Sequence, residues 1–222
     1  MKAVIFDMDG VIVDSEPLHF QVDMKILGAL GVPVTQAYFE KFVGMTNPEM
    51  WEKVIREFRL TATVDELVGR QMGAKLQYVA ETDLEPIIGV SGLVDRLRRA
   101  GLLLAIASSS PRLFIEAVVS KFRMTEVFKV IVSSEEVPRG KPAPDVYLEV
   151  ARRLSVLPDE CAVIEDAYHG VVAAKRAGMT CIGYRNLNSG KQDLSAADCI
   201  VDSILEIKES WLVESHPWSP CS

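Results

Sequence analysis

Two carboxylates one residue apart, Asp7 and Asp9, follow directly on the apolar run "AVIF" at 3–6 and are themselves followed by Gly10. Side chains alternate along an extended segment, so Asp7 and Asp9 face one side and Met8 the other. Both carboxylates can therefore address one bound group, and carboxylates so placed can attack it, carry a proton or hold a cation. Three more polar sets have a similar setting. Ser108-Ser109-Ser110 follows "LLLAIA" at 102–107, Glu165-Asp166 follows "CAVI" at 161–164, and Lys141 stands in "RGKPAPD" before the helix leading to that last run. Taken singly, each has an ordinary structural use as a turn former, a helix N-cap or a solvated charge. Taken together, they bring carboxylates, hydroxyls and one lysine to a single edge.

The elements that must position them are legible as short apolar, β-branched runs. Besides the three above there are "VIV" at 130–132, "TCIG" at 180–183 and "CIV" at 199–201, which read as buried parallel strands. Helical patterns alternate with them: "SGLVDRLRRAG", "PRLFIEAVVSKF", "APDVYLEVARRL" and "YHGVVAAKRAG", two of which close on Gly101 and Gly178 as C-cap glycines. Alternating βα units predict an α/β fold with a Rossmann-like open parallel sheet, whose ligand crevice lies at the carboxyl ends of the strands. The first two strands are separated by a stretch rich in helical periodicity and too long for a connection. It predicts an inserted α-helical cap domain over 15–86, with the catalytic core formed by 1–14 and 87–222.

The 222 residues are 49% hydrophobic and 25% charged, with a net charge of −7. That composition predicts a compact chain that buries roughly 70% of its unfolded surface. The charge gives no global positive field to gather nucleic acid or an anionic membrane, so an anionic ligand must be held locally. The four cysteines, Cys161, Cys181, Cys199 and Cys221, lack a CxxC spacing and read as buried free thiols. With a strand immediately after Met1-Lys2 and no apolar stretch of membrane-spanning length, the expected location is cytoplasmic.

Asp7-Met8-Asp9-Gly10-Val11 through Asp14, then Ser108, then Lys141 in "GKPAPD", then "EDAYHG" from Glu165 to Gly170 together resemble the haloacid dehalogenase-like superfamily of Mg-dependent phosphatases and phosphomutases. The helical insertion is similar to the small cap of its β-phosphoglucomutase and sugar-phosphatase subgroup. Phosphoryl transfer from a monoester needs positive charge and a proton at the site. The resemblance implies that Asp7 is a nucleophile forming an aspartyl-phosphate, and that Asp9 protonates the leaving group and later takes a proton from water. It implies Mg²⁺ held by the Asp7 and Asp166 carboxylates and the Asp9 backbone carbonyl, with Glu165 in or just behind that set. Ser108 through its hydroxyl, and Ser109 through its N–H at a helix start, would hold phosphate, and Lys141 would supply fixed charge. Pro142 disfavours a helical conformation at Lys141. Gly10 fits a close approach to metal and phosphate, or a plain turn.

In the cap, His19 would hydrogen-bond Asp9. Mutases of the subgroup carry a cap arginine where this chain has Asn47, followed by Pro48, which favours water as the phosphoryl acceptor. Arg70 falls roughly where the mutases carry a lysine, with Lys75 about a turn further on; either could touch substrate, although a solvated helix face is the preferred reading of both. Met45, Asn47 and Trp51 could line the pocket or belong to the core. Tyr168 and His169 have no assigned role. The expected function is hydrolysis of a small phosphomonoester, a sugar phosphate, by a monomer. The alternatives are a β-phosphoglucomutase-type mutase, a phosphonate hydrolase using Lys53 or Lys75, and a non-catalytic phosphate- or partner-binding protein.

Overall fold

The computed structural model describes residues 1–39, 42 and 47–213. The chain divides into an α/β unit, Met1–Asp14 with Leu84–Ser222, and a helical unit, Ser15–Asp83. Ile87 N–H already donates to the Ile12 carbonyl at 2.9 Å, so the returning chain is tied to the departing one.

Six strands form the sheet of the α/β unit: β1 (Ala3–Phe6), β2 (Leu103–Ser108), β3 (Val130–Ser133), β4 (Cys161–Glu165), β5 (Thr180–Tyr184) and β6 (Cys199–Val201). Their order is β3-β2-β1-β4-β5-β6 and every pairing is parallel. All six apolar runs of the sequence are these strands. β1 is fully buried along its length, and Phe6 pairs with Ile106 of β2 and Ile164 of β4. The carboxyl ends of β1, β2 and β4 are thus level, at the point where the connection order reverses and an open sheet leaves a crevice.

The helices of the same unit follow their apolar stripes. In α5, numbered after the four helices of the other unit and spanning Val90–Arg99, Val90, Leu93, Val94 and Leu97 are buried, the i, i+3, i+4, i+7 pattern of a one-sided helix. α6 (Arg112–Lys121) follows β2, α7 (Asp145–Leu154) packs on β2 and β3, and α8 (Tyr168–Arg176) packs on β4 and β5. Ala3, Ile5, Ala105, Val132 and Val163 of the sheet form one core with Val146, Tyr147 and Val150 of α7. Gly101 and Gly178 just after α5 and α8 have φ of +82° and +75°, as expected for residues that end a helix in the left-handed conformation. Cys161 and Cys181 are buried free thiols, Cys199 is buried, and Cys221 lies outside the described residues.

In the helical unit, α1 (Glu16–Ala29) packs on α4 (Val64–Glu81) and on the short α2 (Gln36–Phe39), and α3 (Asn47–Phe58) packs on α4. α4 starts on a reciprocal cap, in which Glu66 N–H donates to Thr63 Oγ1 at 3.2 Å and Thr63 N–H to Glu66 Oε2 at 2.9 Å. Trp51 is fully buried and so is a core residue. Arg70 is exposed, in keeping with a solvated face, but Lys75 is not. Leu67, Gln71, Lys75 and Val79 succeed one another every fourth residue on the buried face of α4. Gln71 Nε2 donates to Asp23 Oδ1 of α1 at 2.6 Å. Burial raises the Asp23 carboxyl above its ordinary range, and the Gln71 amide, Lys75 and His19 each pull it back. Lys75 is therefore buried beside an opposite charge supplied from a distant part of the chain.

Candidate active site

β1 ends at Phe6, yet Asp7 N–H still donates to the Ile164 carbonyl at 3.0 Å, so the Asp7 side chain starts from a backbone fixed to β4. The chain then folds tightly: the Met8 carbonyl accepts from the N–H groups of Ile12 and Val13, and Gly10 N–H donates to the Val13 carbonyl at 2.8 Å. Asp7 and Met8 are both buried and Asp9 is partly exposed. Gly10 has φ +77°, and a Cβ there would stand 2.0 Å from Asp166 Oδ2. Both the conformation and the contact require glycine.

Lys141 stands at the centre. Its Nζ donates to Asp7 Oδ1 at 2.5 Å, to Glu165 Oε1 at 2.6 Å and to the Ala107 carbonyl at 3.1 Å, which uses all three ammonium protons. It also lies 5.0 Å from the centre of the Tyr147 ring, a cation–π distance. Burial works against its charge, but Asp7 and Glu165 outweigh burial and hold its pKa above the usual lysine value. The Lys141-Pro142 bond is cis.

Glu165 is fully engaged. Its Oε1 accepts from Lys141 and from Tyr147 OH at 2.8 Å, and its Oε2 from the N–H groups of Asp166 and Ala167 at 2.9 and 3.0 Å. Asp9 Oδ2 accepts from Ser108 Oγ at 3.2 Å and Ser110 Oγ at 2.7 Å, while Ser110 N–H donates to Ser108 Oγ at 2.9 Å. Ser109 is exposed, and α6 begins only at Arg112 with Pro111 as its cap residue. The expectation of a helix start at Ser109 is therefore corrected, because the chain bends through Ser109 and Ser110 before the proline admits the helix.

Asp7, Glu165 and Asp166 each offer a carboxylate oxygen within 4.8 Å of the others. Burial raises the Asp7 pKa well above its ordinary range, Lys141 opposes that, and Glu165, Asp166 and Asp9 add to it. Burial and then Glu165 push Asp166 up to about 8. One lysine does not balance this group. A hard divalent cation with oxygen ligands would, and the donors present fit one.

Asp7, Asp9, Ser108, Lys141, Glu165 and Asp166 are thus brought together in the α/β unit. His19, Asn47 and Arg70 belong to the helical unit: His19 N–H donates to the Ser15 carbonyl at 2.9 Å, Asn47 opens α3, and Arg70 is exposed on α4. Met45 lies outside the described residues. Tyr168 and His169 are exposed at the start of α8, their ring centres 5.5 Å apart. The sequence placed Ser110 in the serine run after β2 but gave it no role of its own, and it did not single out Tyr147, which resembles any core aromatic of α7. It also missed the turn after β5. There Asn186 Nδ2 donates to the Gly10 carbonyl at 3.0 Å and Ser189 Oγ to Asp166 Oδ2, from a stretch whose composition reads as an ordinary loop.

Residues 4–184 match the family model described as haloacid dehalogenase-like hydrolase. The chain is 32% identical over 198 residues to the phosphorylated carbohydrates phosphatase of Thermotoga maritima, covering 88% of this chain and 91% of that one. It is 32% identical over 222 residues to the β-phosphoglucomutase of Bacillus subtilis, covering 95% and 96%. It is 33% identical over 213 residues to the bifunctional riboflavin kinase/FMN phosphatase of Arabidopsis thaliana, covering 95% of this chain and 55% of the other, so it spans about half the length of that relative. Among the described residues no helix is long and apolar enough to cross a membrane. A family match over most of the chain, falling on a six-stranded parallel sheet, makes this chain a member of the haloacid dehalogenase-like hydrolases.

Proposed function

We propose that the chain hydrolyses a small phosphomonoester, a sugar phosphate, through an aspartyl-phosphate on Asp7. The observation that carries this reading is the bridge of Lys141 between Asp7 and Glu165 beside an Asp9 held by two serine hydroxyls. Asp7 attacks phosphorus as the alkoxide leaves, and Asp9 gives that oxygen its proton. Water then attacks the acyl phosphate, Asp9 takes up its proton, and phosphate and free Asp7 are regenerated. Lys141 supplies fixed positive charge where the phosphoryl oxygens gain negative charge, without reorganising. Asp7, Asp166 and the Asp9 backbone carbonyl would hold Mg²⁺, which supplies the rest of the charge compensation. Glu165, with both oxygens already engaged, is better suited to orienting Lys141 than to ligating the ion.

The carbohydrate named in the Thermotoga maritima relative supports a sugar phosphate as substrate. A phosphonate hydrolase on this scaffold would need a cap lysine of lowered pKa. Lys53 is exposed, and Lys75 is buried where its charge faces the Asp23 carboxylate across the helical unit. A mutase remains the competing reading, carried by the similarity to β-phosphoglucomutase.

The test is phosphate release from a panel of sugar phosphates with Mg²⁺ or EDTA, wild type against Asp7→Asn. Mg²⁺-dependent release that vanishes in the variant supports the hydrolase. Conversion of β-glucose 1-phosphate to glucose 6-phosphate with a bisphosphate primer, and no net phosphate, would replace it with the mutase. Neither reaction would leave a binding protein.

A further inference from the structure

The turn that follows β5 reaches the proposed cation site from a side that no recognised motif occupies. Ser189 Oγ donates to Asp166 Oδ2, and the position of that hydroxyl is determined from several directions. Asn186, buried, donates through Nδ2 to the Gly10 carbonyl at 3.0 Å, and its Oδ1 accepts from Asn188 N–H at 2.9 Å, which closes the turn. Gln192 Nε2 donates to the Ser189 carbonyl at 2.9 Å, while Gln192 Oε1 accepts from Tyr168 N–H at 3.1 Å at the head of α8. Asn188 Nδ2 donates to Asp14 Oδ2 at the far end of the Asp7–Asp14 segment. The turn is therefore fastened to the loop after β1 and to the loop after β4, the two segments that carry Asp7, Asp9 and Asp166.

Gly10, Asp166 and Ser189 are in direct contact. A Cβ on Gly10 would stand 2.0 Å from Asp166 Oδ2 and 2.8 Å from Ser189 Oγ. Asp166 Oδ2 thus packs against the Gly10 backbone and accepts from the Ser189 hydroxyl. A hydroxyl bound to one carboxylate oxygen sets the rotation of the group and leaves the other oxygen for a metal ion, which is how partners behind a ligand tune affinity.

We propose that Ser189 is a positioning residue that presets Asp166 for a divalent cation, with Asn186 holding the Asp9–Gly10 backbone against the same turn. This rests on the reading of Asp7 and Asp166 as cation ligands. Replacing a partner behind a metal ligand typically weakens metal binding by about 10- to 100-fold.

The experiment is Mn²⁺ binding to the full chain by electron paramagnetic resonance titration, for wild type, Ser189→Ala, Ser189→Thr and Asp166→Asn, with thermal melting of each protein in EDTA. The expected result is a fall in Mn²⁺ affinity of about 10- to 100-fold for Ser189→Ala, recovery of most of it in Ser189→Thr, and a melting midpoint of the two metal-free Ser189 variants equal to that of metal-free wild type. Wild-type affinity in Ser189→Ala, with binding lost in Asp166→Asn, would overturn the role of Ser189 and leave the cation reading standing. A weakened affinity that Ser189→Thr does not restore, with a lowered metal-free midpoint, would also overturn it, because Ser189 would then be serving the fold. Absence of Mn²⁺ binding in wild type would remove the cation reading itself, and this assignment with it.

Discussion

The Lys141 ammonium and the Asp7 carboxylate stand 2.5 Å apart, with side-chain exposures of only 6% and 9%. The same ammonium reaches Glu165, whose side chain is 1% exposed. One cation thus serves two carboxylates that water barely reaches, so the pair cannot be loosened without leaving charge stranded. Burying charges costs free energy that a well-packed apolar replacement would avoid. An arrangement of this kind is kept for what it does rather than for stability.

Lys141→Met removes the positive charge and leaves both carboxylates in place. Breaking a buried pair in this way costs about 3–5 kcal/mol, and activity is lost with it. Urea denaturation near neutral pH measures the cost, and a loss below about 1 kcal/mol would mean that water screens the trio far more than its burial implies.

Asp9→Asn separates proton transfer from attack. With a sugar phosphate, whose alkoxide needs a proton, turnover falls by about 10²- to 10⁴-fold. With p-nitrophenyl phosphate, whose leaving group departs without one, the fall is much smaller. Equal losses on the two substrates would show that Asp9 acts by holding the site together and not by moving a proton.

The pH dependence of stability follows from Asp166, pushed up to about 8, and from Asp7, raised in the same direction, each chiefly by burial. A carboxyl whose folded pKa lies above its unfolded value stabilises the fold while protonated, fully so in acid, and that contribution drains away as pH rises through the folded pKa. In EDTA the melting midpoint should therefore fall between about pH 4 and pH 8. Lys141, raised above its usual value, keeps its contribution throughout that window. Saturating Mg²⁺ should flatten the fall, since a bound cation favours the ionised carboxylates. Superimposable profiles with and without the ion would exclude these two groups as its ligands.

Gly10→Ala and Gly101→Ala form a controlled pair. Both residues have positive φ, but a Cβ at Gly101 meets nothing within 4 Å, whereas at Gly10 it would meet Asp166 and Ser189. Gly101→Ala should cost about 1–2 kcal/mol of backbone strain and leave turnover untouched. Gly10→Ala should cost more and abolish turnover. Chemical denaturation and phosphate release distinguish them, and an active Gly10→Ala protein would show that the loop relaxes away from Asp166.

The strands were readable because each is an apolar run that must be buried on both faces, and the core site because strand ends define where polar residues collect. Lys75 was misjudged for the opposite reason. Nothing beside it in sequence shows that α4 turns this position inward or that Asp23, on another helix, waits there with Gln71. Ser189 and Tyr147 escaped notice in the same way, since their partners Asp166 and Glu165 come from other elements. Motifs expose residues that act on substrate directly; residues that act through another side chain become visible only once the chain is folded.

The placement of β1 has a further consequence for how the chain is made. Ala3 pairs with Leu103 on one side and with Cys161 on the other, so the earliest of the six strands is the one flanked by strands that come much later in the sequence. Until they arrive, "AVIF" is an uncharged apolar ribbon with both edges open, the kind of segment that associates with other chains. The helical unit, by contrast, finds its partners α1 to α4 within one continuous stretch. All the segments of the helical unit are therefore synthesised before β2 and β4, the two strands that flank β1 and fix the backbone leading into Asp7.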